Sequence, residues 1–511
     1  MTTKHQQEPA GKRVAKGARH AKSANRSRGP ALRYGYPPAE VVYARRRRRH
    51  RRHIAEGVLL LVAFACALAV GARALVQPGS TPQGPQLLPS APQSQQGSAQ
   101  AGAGSSAEPQ AEPVQVRLVM VGDILKHMPL VESGYREDGT YNYDHIYAHV
   151  GEELAGFDLR VVNQETPTAG ADFGYSGYPS FNAPLAFNDA TAKAGFNVVL
   201  KASNHTMDMG YEGIHAELAY WGQTYPGVRT IGCVDPTADA AASPYAPYVY
   251  EKDGFRVALL NFTYDLNGYE DPQGAVALLD QAHEQDVRAA IRAARQQADM
   301  VVVFPHWGVE YELQPSDEQR AWAQVFAEEG VDVVIGGHPH VIEPVEVLAR
   351  PDGSGMLCFW SVGNFVSNQP NSPSLVGGMA EVTLTKAADG TCSVGDYAFV
   401  PVVCHKGLGA DFTTYLLRDY TDELAATNVG VWTDSTDCTP AWVDGFCQEV
   451  LGGGYDPELD SLSGTLAEAD PVPILPVEDP EPEAVEAEMS EARTAMPESA
   501  SDESNSLDLA A

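Results

Sequence analysis

The stretch Val334-Ile335-Gly336-Gly337-His338-Pro339-His340-Val341 runs from an apolar, strand-like segment directly into two histidines. A second stretch, Lys201-Ala202-Ser203-Asn204-His205-Thr206-Met207-Asp208, follows another apolar run and contains the same kinds of side chain. Imidazole, amide and carboxylate groups ligate metals, and α/β folds build their sites at the carboxyl ends of strands. The two stretches therefore predict an α/β fold with a metal site at one edge of its sheet.

Outward from these stretches, strand-like and helix-like segments alternate. The predicted strands are 116–121, 159–162, 197–200, 256–261, 300–304 and 332–335, and the predicted helices are 186–194, 280–297 and 316–328. From residue 341 onward, strands follow one another without helices, at 341–348, 356–361, 379–384 and 396–402. Alternation followed by consecutive strands predicts an α/β sandwich with a mixed sheet.

Polar groups follow five of the predicted strands directly. They are Gly122-Asp123, Asn163-Gln164-Glu165, Ser203-Asn204-His205, His306-Trp307-Gly308 and His338-Pro339-His340. Residues two apart in an extended segment share a face, so Asn163 and Glu165 should point together, as should the two histidines around Pro339. A proline also biases the residue before it toward an extended conformation. This mixed nitrogen and oxygen set suits zinc, manganese or iron better than calcium.

Any one of these histidines, taken alone, is more typical of a hydrogen-bonded core group than of a ligand. The prediction depends on five polar clusters occurring together at strand ends. The histidines that lack this context, His145, His149, His215, His283 and His405, are interpreted as surface or core residues. Trp307 is expected to pack rather than to line a pocket.

Composition divides the chain into folded and unfolded parts. Residues 1–53 carry sixteen Lys or Arg and two acidic residues, about +14, so the remainder must carry about −46 to reach the net charge of −32. Residues 77–113 are rich in Pro, Gln, Ser, Gly and Ala, and residues 456–511 are acidic, so both are expected to be disordered. One extracellular domain is predicted at 114–455, which is far too acidic to bind nucleic acid.

Residues 54–76 form an apolar segment that is long enough to cross a bilayer. The basic residues before it should stay in the cytoplasm, which places the main domain outside the cell. Cleavage as a signal peptide near Ala72-Arg73-Ala74 is an alternative, whereas a lipid anchor at Cys66 is disfavoured because the apolar run continues past it. We favour a retained single-pass anchor, with the basic arm also contacting membrane lipid.

Six of the seven cysteines follow the apolar segment. An even number in an oxidising compartment permits disulfides, and closeness in sequence favours a pair between Cys438 and Cys447. No pair has the Cys-x-x-Cys spacing of zinc sites, so a structural role is expected for all of them.

The polar clusters, taken with Asn163-Gln164-Glu165-Thr166-Pro167, His306-Trp307-Gly308-Val309-Glu310-Tyr311 and Ser361-Val362-Gly363-Asn364-Phe365, resemble the ordered signature of the CapA family over residues 116–402. CapA proteins take part in capsule or poly-γ-glutamate synthesis. The resemblance implies a metallophosphoesterase-like α/β/β/α sandwich, here preceded by one transmembrane helix and flanked by disordered segments.

The resemblance also implies roles for individual residues. The implied ligands of one or two divalent metal ions are Asp123, Glu165, Asn204, His306, His338 and His340. His205 would be the catalytic acid or an anion contact, oriented by Asp208. Metallophosphoesterases usually open with Asp-x-His, but this chain has Leu125 at the histidine position, for which His127 could substitute. Ser203 also stands where the family commonly has Asn.

Three hypotheses of function remain open. The site could perform metal-dependent hydrolysis of a phosphoester or of a polyglutamate amide, with Glu310 supporting His306. The domain could instead guide an anionic polymer such as polyglutamate as it leaves the subunits of a membrane synthase. A third hypothesis is an anchored structural domain whose histidines are core groups.

Overall fold

A computed structural model describes residues 112–237, 242–407, 411–429 and 437–474. Its strands, in chain order, are β1 Val114–Ile124, β2 Leu159–Asn163, β3 Val198–Leu200, β4 Arg229–Ile231, β5 Tyr248–Lys252, β6 Phe255–Thr263, β7 Met300–His306, β8 Val333–Ile335, β9 Val345–Ala349, β10 Gly355–Phe359, β11 Asn364–Val366, β12 Val376–Lys386, β13 Cys392–Gly407, β14 Asp411–Leu416, β15 Tyr455–Asp456 and β16 Ser461–Thr465. Its α-helices are α1 Met128–Ser133, α2 Gly151–Leu154, α3 Ala186–Lys193, α4 Gly210–Thr224, α5 Glu284–Gln297, α6 Asp317–Glu328, α7 Asp422–Thr427 and α8 Pro440–Leu451.

The described strands form two mixed sheets. The first has the order β15-β16-β13-β12-β1-β2-β3-β4, with β11 paired to β1 and β14 paired to β13. The second has the order β5-β6-β7-β8-β10-β9. Strands β1 to β4 are mutually parallel, as are β6, β7 and β8, whereas β12 and β13 pair in antiparallel fashion.

Alternate side chains of β6 face different layers. Val257 and Leu259 belong to one large core cluster with residues of β1, so the two sheets pack face to face. Ala258 and Leu260 belong to a second cluster with the apolar residues of α5 and α6. This period of two is the geometry of a strand buried on both faces. The α/β sandwich with mixed sheets predicted from the sequence is therefore confirmed.

Two of the predicted helices begin beside residues whose side chains cap the helix start. The Asp280 carboxylate accepts a hydrogen bond of 3.0 Å from the backbone N–H of His283, before α5. Ser316 and Gln319 form a reciprocal capping box at the start of α6. These caps satisfy backbone donors that would otherwise lack partners at the helix ends.

The chain order brings the carboxyl ends of parallel strands from both sheets to one edge of the sandwich. Strands β1, β2 and β3 end there in the first sheet, and β6, β7 and β8 end there in the second. A bridge between His306 and Gly337 joins the segments that leave β7 and β8. The polar clusters predicted as a site follow these strand ends.

The predicted end of the domain at residue 455 needs correction. Strand β16 pairs with β13, Leu462 is buried, and Val472 forms a bridge with Leu348. The segment 461–465 is short and polar by composition, and it becomes a strand because β13 offers an unpaired edge. The predicted acidic tail beyond residue 474, the spacer 77–111 and the basic arm lie outside the described residues.

Within the described ranges, no helix combines the length and the apolar character that crossing a bilayer requires. The apolar segment 54–76 lies outside those ranges.

The predicted pairing of Cys438 with Cys447 is wrong. Both thiols are free and buried, as are those of Cys233, Cys358 and Cys404, while the free thiol of Cys392 is partly buried. Cys447 lies on the buried side of α8, whereas Cys438 precedes that helix and neighbours Tyr420. Burial raises the pKa of the Cys438 thiol to about 12, so the thiolate needed for disulfide exchange is disfavoured.

Truncation tests the corrected domain boundary. A chain ending at Gly454 should unfold at lower temperature than a chain ending at Ile474. The shorter chain lacks the buried side chains of Tyr455 and Leu462, and the edge of β13 is exposed in it. Burying two such side chains contributes roughly 3 kcal/mol or more. Thermal denaturation followed by circular dichroism measures the difference, and equal midpoints would restore the boundary at 455.

Candidate metal centre

Asp123, near the end of β1, is the residue around which the other site residues gather. Its Oδ1 accepts a hydrogen bond of 2.7 Å from Asn163 Nδ2. Its Oδ2 accepts the backbone N–H of His338 at 3.0 Å and lies 3.1 Å from His340 Nδ1. Asp123 is fully buried, so these contacts replace the water that a carboxylate loses on burial.

The backbone at Glu165 and on both sides of it is held by side chains of residues that follow β1 and β3. The Nζ of Lys201 donates to the carbonyl of Gln164 at 3.1 Å, and Ser203 Oγ donates to the carbonyl of Glu165 at 2.6 Å. Lys126 Nζ donates to the carbonyl of Thr166. Side-chain donors thus fix three consecutive backbone carbonyls. Ser203, which stands where the family commonly has asparagine, therefore has a structural role.

The Glu165 carboxylate is completely buried, and neither of its oxygens has a hydrogen-bond partner. Imidazole nitrogens face it from three sides. His306 Nε2 lies 3.7 Å from Oε1, His340 Nδ1 lies 3.8 Å from Oε2, and His205 Nε2 lies 4.0 Å from Oε1. A carboxylate in this position is costly without a compensating positive charge.

His306 connects the two sheets through two amides. Its Nδ1 lies 3.1 Å from Asn163 Nδ2, and its Nε2 lies 3.0 Å from Asn204 Oδ1. Because the amide of Asn163 donates and the oxygen of Asn204 accepts, the ring fits as a neutral imidazole with its proton on Nε2. Asn163 and Glu165 therefore both face His306, as their spacing of two predicted.

The two histidines after β8 reach the site by a different backbone conformation from the one predicted. His338 has φ of 99° and His340 has φ of 61°, both in the left-handed region, so the expected extended conformation at His338 is wrong. A Cβ atom at Gly337 would lie 2.6 Å from Asp123 Oδ1, and one at Gly336 would lie 2.0 Å from the Trp360 carbonyl. The close approach of the loop to Asp123 outweighs the local preference set by the proline.

His205 lies on the solvent side of the cluster, and a carboxylate contacts the ring nitrogen that faces away from Glu165. Its Nδ1 lies 2.8 Å from Asp208 Oδ2, which also accepts the backbone N–H of Phe181 at 2.7 Å. The ring of Phe181 stands edge-on to the ring of His205, with centroids 4.8 Å apart. The contact predicted between His205 and Asp208 is thus present, and it fixes the orientation of the imidazole.

The pKa values of the central groups depend on burial and on the charges of neighbouring groups, and at Asp123 and His340 these two influences oppose each other. Burial favours a raised pKa at Asp123, but the hydrogen bond and charge of His340 outweigh it and hold the pKa below its ordinary value. Burial raises the pKa of Glu165 well above its ordinary range. Burial lowers the pKa of His306 to about 3, whereas Glu165 and Asp123 outweigh burial at His340 and raise its pKa to about 9.

The donor set fits a divalent transition metal. Atoms of Asp123, Glu165 and His306 lie within 4.8 Å of one another, as do atoms of Glu165, His338 and His340. The two oxygens of Glu165 have no hydrogen-bond partners and face imidazole nitrogens, which is how the ligands of a shared metal ion are arranged. Mixed carboxylate and imidazole ligands suit manganese, zinc and iron alike. All six predicted ligands converge, and their role as ligands remains a prediction.

Three other residues singled out in the sequence lie elsewhere or act differently. His127 Nδ1 accepts the backbone N–H of Asn368 at 3.3 Å, and its ring packs edge-on against Phe181, so its described contacts are not with the cluster. Both ring nitrogens of His306 face asparagines, so the support predicted from Glu310 is wrong. Trp307 packs against other aromatic rings and donates to the Trp360 carbonyl at 2.9 Å, as expected.

Two site residues were not identified from the sequence. The ring of Tyr264 lies 4.5 Å from that of His338, and Asn267 Oδ1 lies 3.3 Å from Asn204 Nδ2. Both belong to the segment that follows β6. The sequence did contain a signal for this segment: the apolar run 256–260 predicts another strand, and the residues that follow its carboxyl end would lie at the same edge of the sheet as the site.

Residues 117–369 match the protein family described as "Bacterial capsule synthesis protein PGA_cap", and this span contains all eight predicted site residues. The PGA biosynthesis protein CapA of Bacillus subtilis (strain 168) is 31% identical over 218 residues, 42% of this chain and 53% of that protein. The capsule biosynthesis protein CapA of Bacillus anthracis is 28% identical over 277 residues, 50% of this chain and 61% of that protein. The chain thus spans little more than half the length of these relatives.

Among solved structures, the chain is similar to a 5'-nucleotidase precursor from Thermus thermophilus. The sequences are 16% identical, the TM-score is 0.33, and the match covers 55% of this chain and 54% of that one.

Replacing Glu165 by glutamine should abolish stabilisation by metal without harming the metal-free protein. In chelator, burial already favours the neutral carboxyl, so the wild type and Glu165→Gln should unfold at similar temperatures. Excess Mn²⁺ should stabilise only the wild type, by about 2.7 kcal/mol at a hundred times Kd. Differential scanning calorimetry measures both conditions.

Glu343→Gln is the matched control, because burial also raises the pKa of Glu343, to about 8, and its side chain contacts Gln319 rather than the cluster. This variant should keep the full response to Mn²⁺. An equal response in Glu165→Gln would remove Glu165 from the metal centre.

Proposed function

This chain belongs to the family of bacterial capsule synthesis proteins, and on that premise we propose that it serves the synthesis or export of an anionic capsule polymer of the poly-γ-glutamate type. Two relatives named for PGA and capsule biosynthesis support this proposal. The proposal includes a single-pass anchor at 54–76, a cytoplasmic basic arm, an extracytoplasmic domain and contacts with membrane lipid and synthase subunits.

We further propose that the cluster around Glu165 performs metal-dependent hydrolysis. The observation that carries this proposal is the buried Glu165 carboxylate, which has no hydrogen-bond partner and has imidazoles on three sides. The ion or ions would be held by Asp123, Glu165 and Asn204 together with His306, His338 and His340. A bound divalent ion would lower the pKa of a water and polarise the electrophile.

His205 would act as the general acid. Asp208 holds its Nδ1, so Nε2 faces the Glu165 carboxylate and the interior of the site, where a leaving group would need a proton. His205 is also the member of the cluster that a substrate reaches first, since its side chain is 8% exposed whereas that of His306 is 1% exposed. The substrate would be a phosphoester or an amide of the polymer.

Non-catalytic handling of the polymer is the second candidate, and one observation favours it. Leu125 occupies the position where metallophosphoesterases usually carry a histidine, and it is buried and apolar. A site with one imidazole fewer would hold an ion less tightly and could bind the polymer without hydrolysing it.

The His205 variant tests the catalytic role. His205→Ala should lower kcat by about 10²–10⁴ while leaving metal content unchanged, because it removes a proton donor rather than a principal ligand. Hydrolysis of bis(p-nitrophenyl) phosphate and of poly-γ-glutamate with Mn²⁺, Zn²⁺ or Fe²⁺ measures the effect. The control is His215→Ala, because His215 Nδ1 also lies close to a carboxylate, at 2.5 Å from Asp235 Oδ2, but the His215 side chain is 54% exposed.

Full activity of His205→Ala would exclude His205 as the acid. Absence of hydrolysis by the wild type with all three metals would favour the non-catalytic candidate.

A further inference from the structure

A cavity of about 480 Å³ lies on the first sheet, where β1, β12, β13 and β16 are neighbours. This volume is within the range of small-molecule sites. We call it the outer cavity, and the residues that line it include Arg117, Phe157, Glu381, Thr383, Asp396 and Ser463. It is separate from the metal centre, because Arg117 and Asp123 lie roughly 20 Å apart along β1 at about 3.3 Å per residue.

The charged residues of the outer cavity face away from the second sheet. Tyr397 of β13 pairs with Val382 of β12, and its ring contacts Phe359 of the second sheet, so these two residues mark the inner face. Side chains alternate between the two faces of a strand. Glu381 and Thr383, on either side of Val382, therefore face outward.

Arg117 and Glu381 are diagonal neighbours on the outer face, yet they form no ion pair. Arg117 lies opposite Thr383, and long side chains can reach a diagonal neighbour at this spacing. The guanidinium instead lies over the ring of Phe157, 4.4 Å from its centroid, and donates to the Gly156 carbonyl at 3.0 Å. The segment before β2 thus holds the guanidinium apart from the carboxylate.

The Glu381 carboxylate lacks a compensating partner. Its Oε1 is inaccessible to solvent and has no hydrogen-bond partner, and burial together with the charge of Glu153 raises the pKa of Glu381 to about 7. Glu153 itself forms an ion pair with Arg418. A carboxylate that is partly desolvated and unpaired favours a positively charged group on a ligand.

A second carboxylate reaches the outer cavity from a β-bulge. Between Val394 and Tyr397, β13 has two residues opposite the single residue Thr383 of β12. One of the two is Asp396, whose Oδ1 accepts a hydrogen bond of 2.8 Å from Thr465 Oγ1 on β16. Bulges redirect side chains and are common next to active sites. The outer cavity therefore combines one guanidinium with two carboxylates.

This combination of charges restricts the class of ligand. A simple anion would be repelled by Glu381 and Asp396, and a simple cation would be repelled by Arg117. We propose that the outer cavity binds the zwitterionic group of an α-amino acid. Arg117 would hold the carboxylate of the ligand, and the two acidic side chains would hold its ammonium group.

The identity of the amino acid rests on the proposed function, which makes it a glutamyl unit with a free amino group. An interior unit of γ-linked polyglutamate keeps its α-carboxylate, but its α-nitrogen belongs to an amide and carries no charge. The unit at the amino end carries both charges, as free glutamate does. The outer cavity would therefore bind the amino end of the polymer or the free monomer.

Isothermal titration calorimetry of the full-length chain in detergent, with chelator present, tests this binding apart from hydrolysis. The probes are glutamate and tri-γ-glutamate, each as the D and the L form and each also N-acetylated, together with trialanine. Glutamate or the trimer should bind, and acetylation should weaken that binding about tenfold or more because it removes the ammonium group. Glu381→Gln and Arg117→Gln should each weaken it to a similar extent.

Glu251→Gln and Arg256→Gln are matched controls, because these two residues lie opposite each other on β5 and β6 of the second sheet and are exposed. Both variants should leave binding unchanged. Binding of glutamate alone would identify the free monomer as the ligand, and binding of the trimer would identify the end of the chain.

Three results would overturn the inference: no binding of any probe, equal affinity for acetylated and free probes, or binding that is insensitive to both Glu381→Gln and Arg117→Gln. Binding of trialanine but of no glutamate probe, weakened by the same two variants, would support an amino-acid site in the outer cavity. That result would contradict the polymer class of the proposed function instead.

Discussion

The burial of one carboxylate without hydrogen-bond partners is the constraint on which the site depends. Glu165 lies inside the sandwich with both oxygens facing imidazole nitrogens, and burial raises its pKa well above the ordinary range. The pKa of His340 is also raised, to about 9, because Glu165 and Asp123 outweigh its own burial. Binding of an ion would release these protons, so metal affinity should increase with pH.

The fold maintains this arrangement through its backbone. Side chains of Lys201, Ser203 and Lys126 hold the carbonyls on either side of Glu165, and two of these donors are buried lysines, whose desolvation is a real cost. The other half of the centre comes from the second sheet, where Gly337 allows the loop to approach Asp123. Neither sheet alone carries the full donor set, so formation of the site is coupled to packing of the sandwich.

The sequence predicted the strands well because each is an apolar run that ends at a polar cluster, and parallel strands bring such ends together. It could not predict the left-handed conformation of His338, which depends on contact with Asp123 from a distant strand. It also missed Asn267, because the apolar run of β6 predicts where that strand ends but not which residue of the following loop reaches Asn204. The polar strand β16 was assigned to the tail, since its pairing with β13 and β15, rather than its own composition, makes it a strand.

Anomalous X-ray diffraction from crystals of the chain grown with Mn²⁺ tests the metal centre most directly. The account predicts an anomalous peak about 2.0–2.3 Å from an oxygen of Glu165 and from imidazole nitrogens of the centre. A fully occupied peak elsewhere, or none at this position with Glu165 still buried, would contradict it.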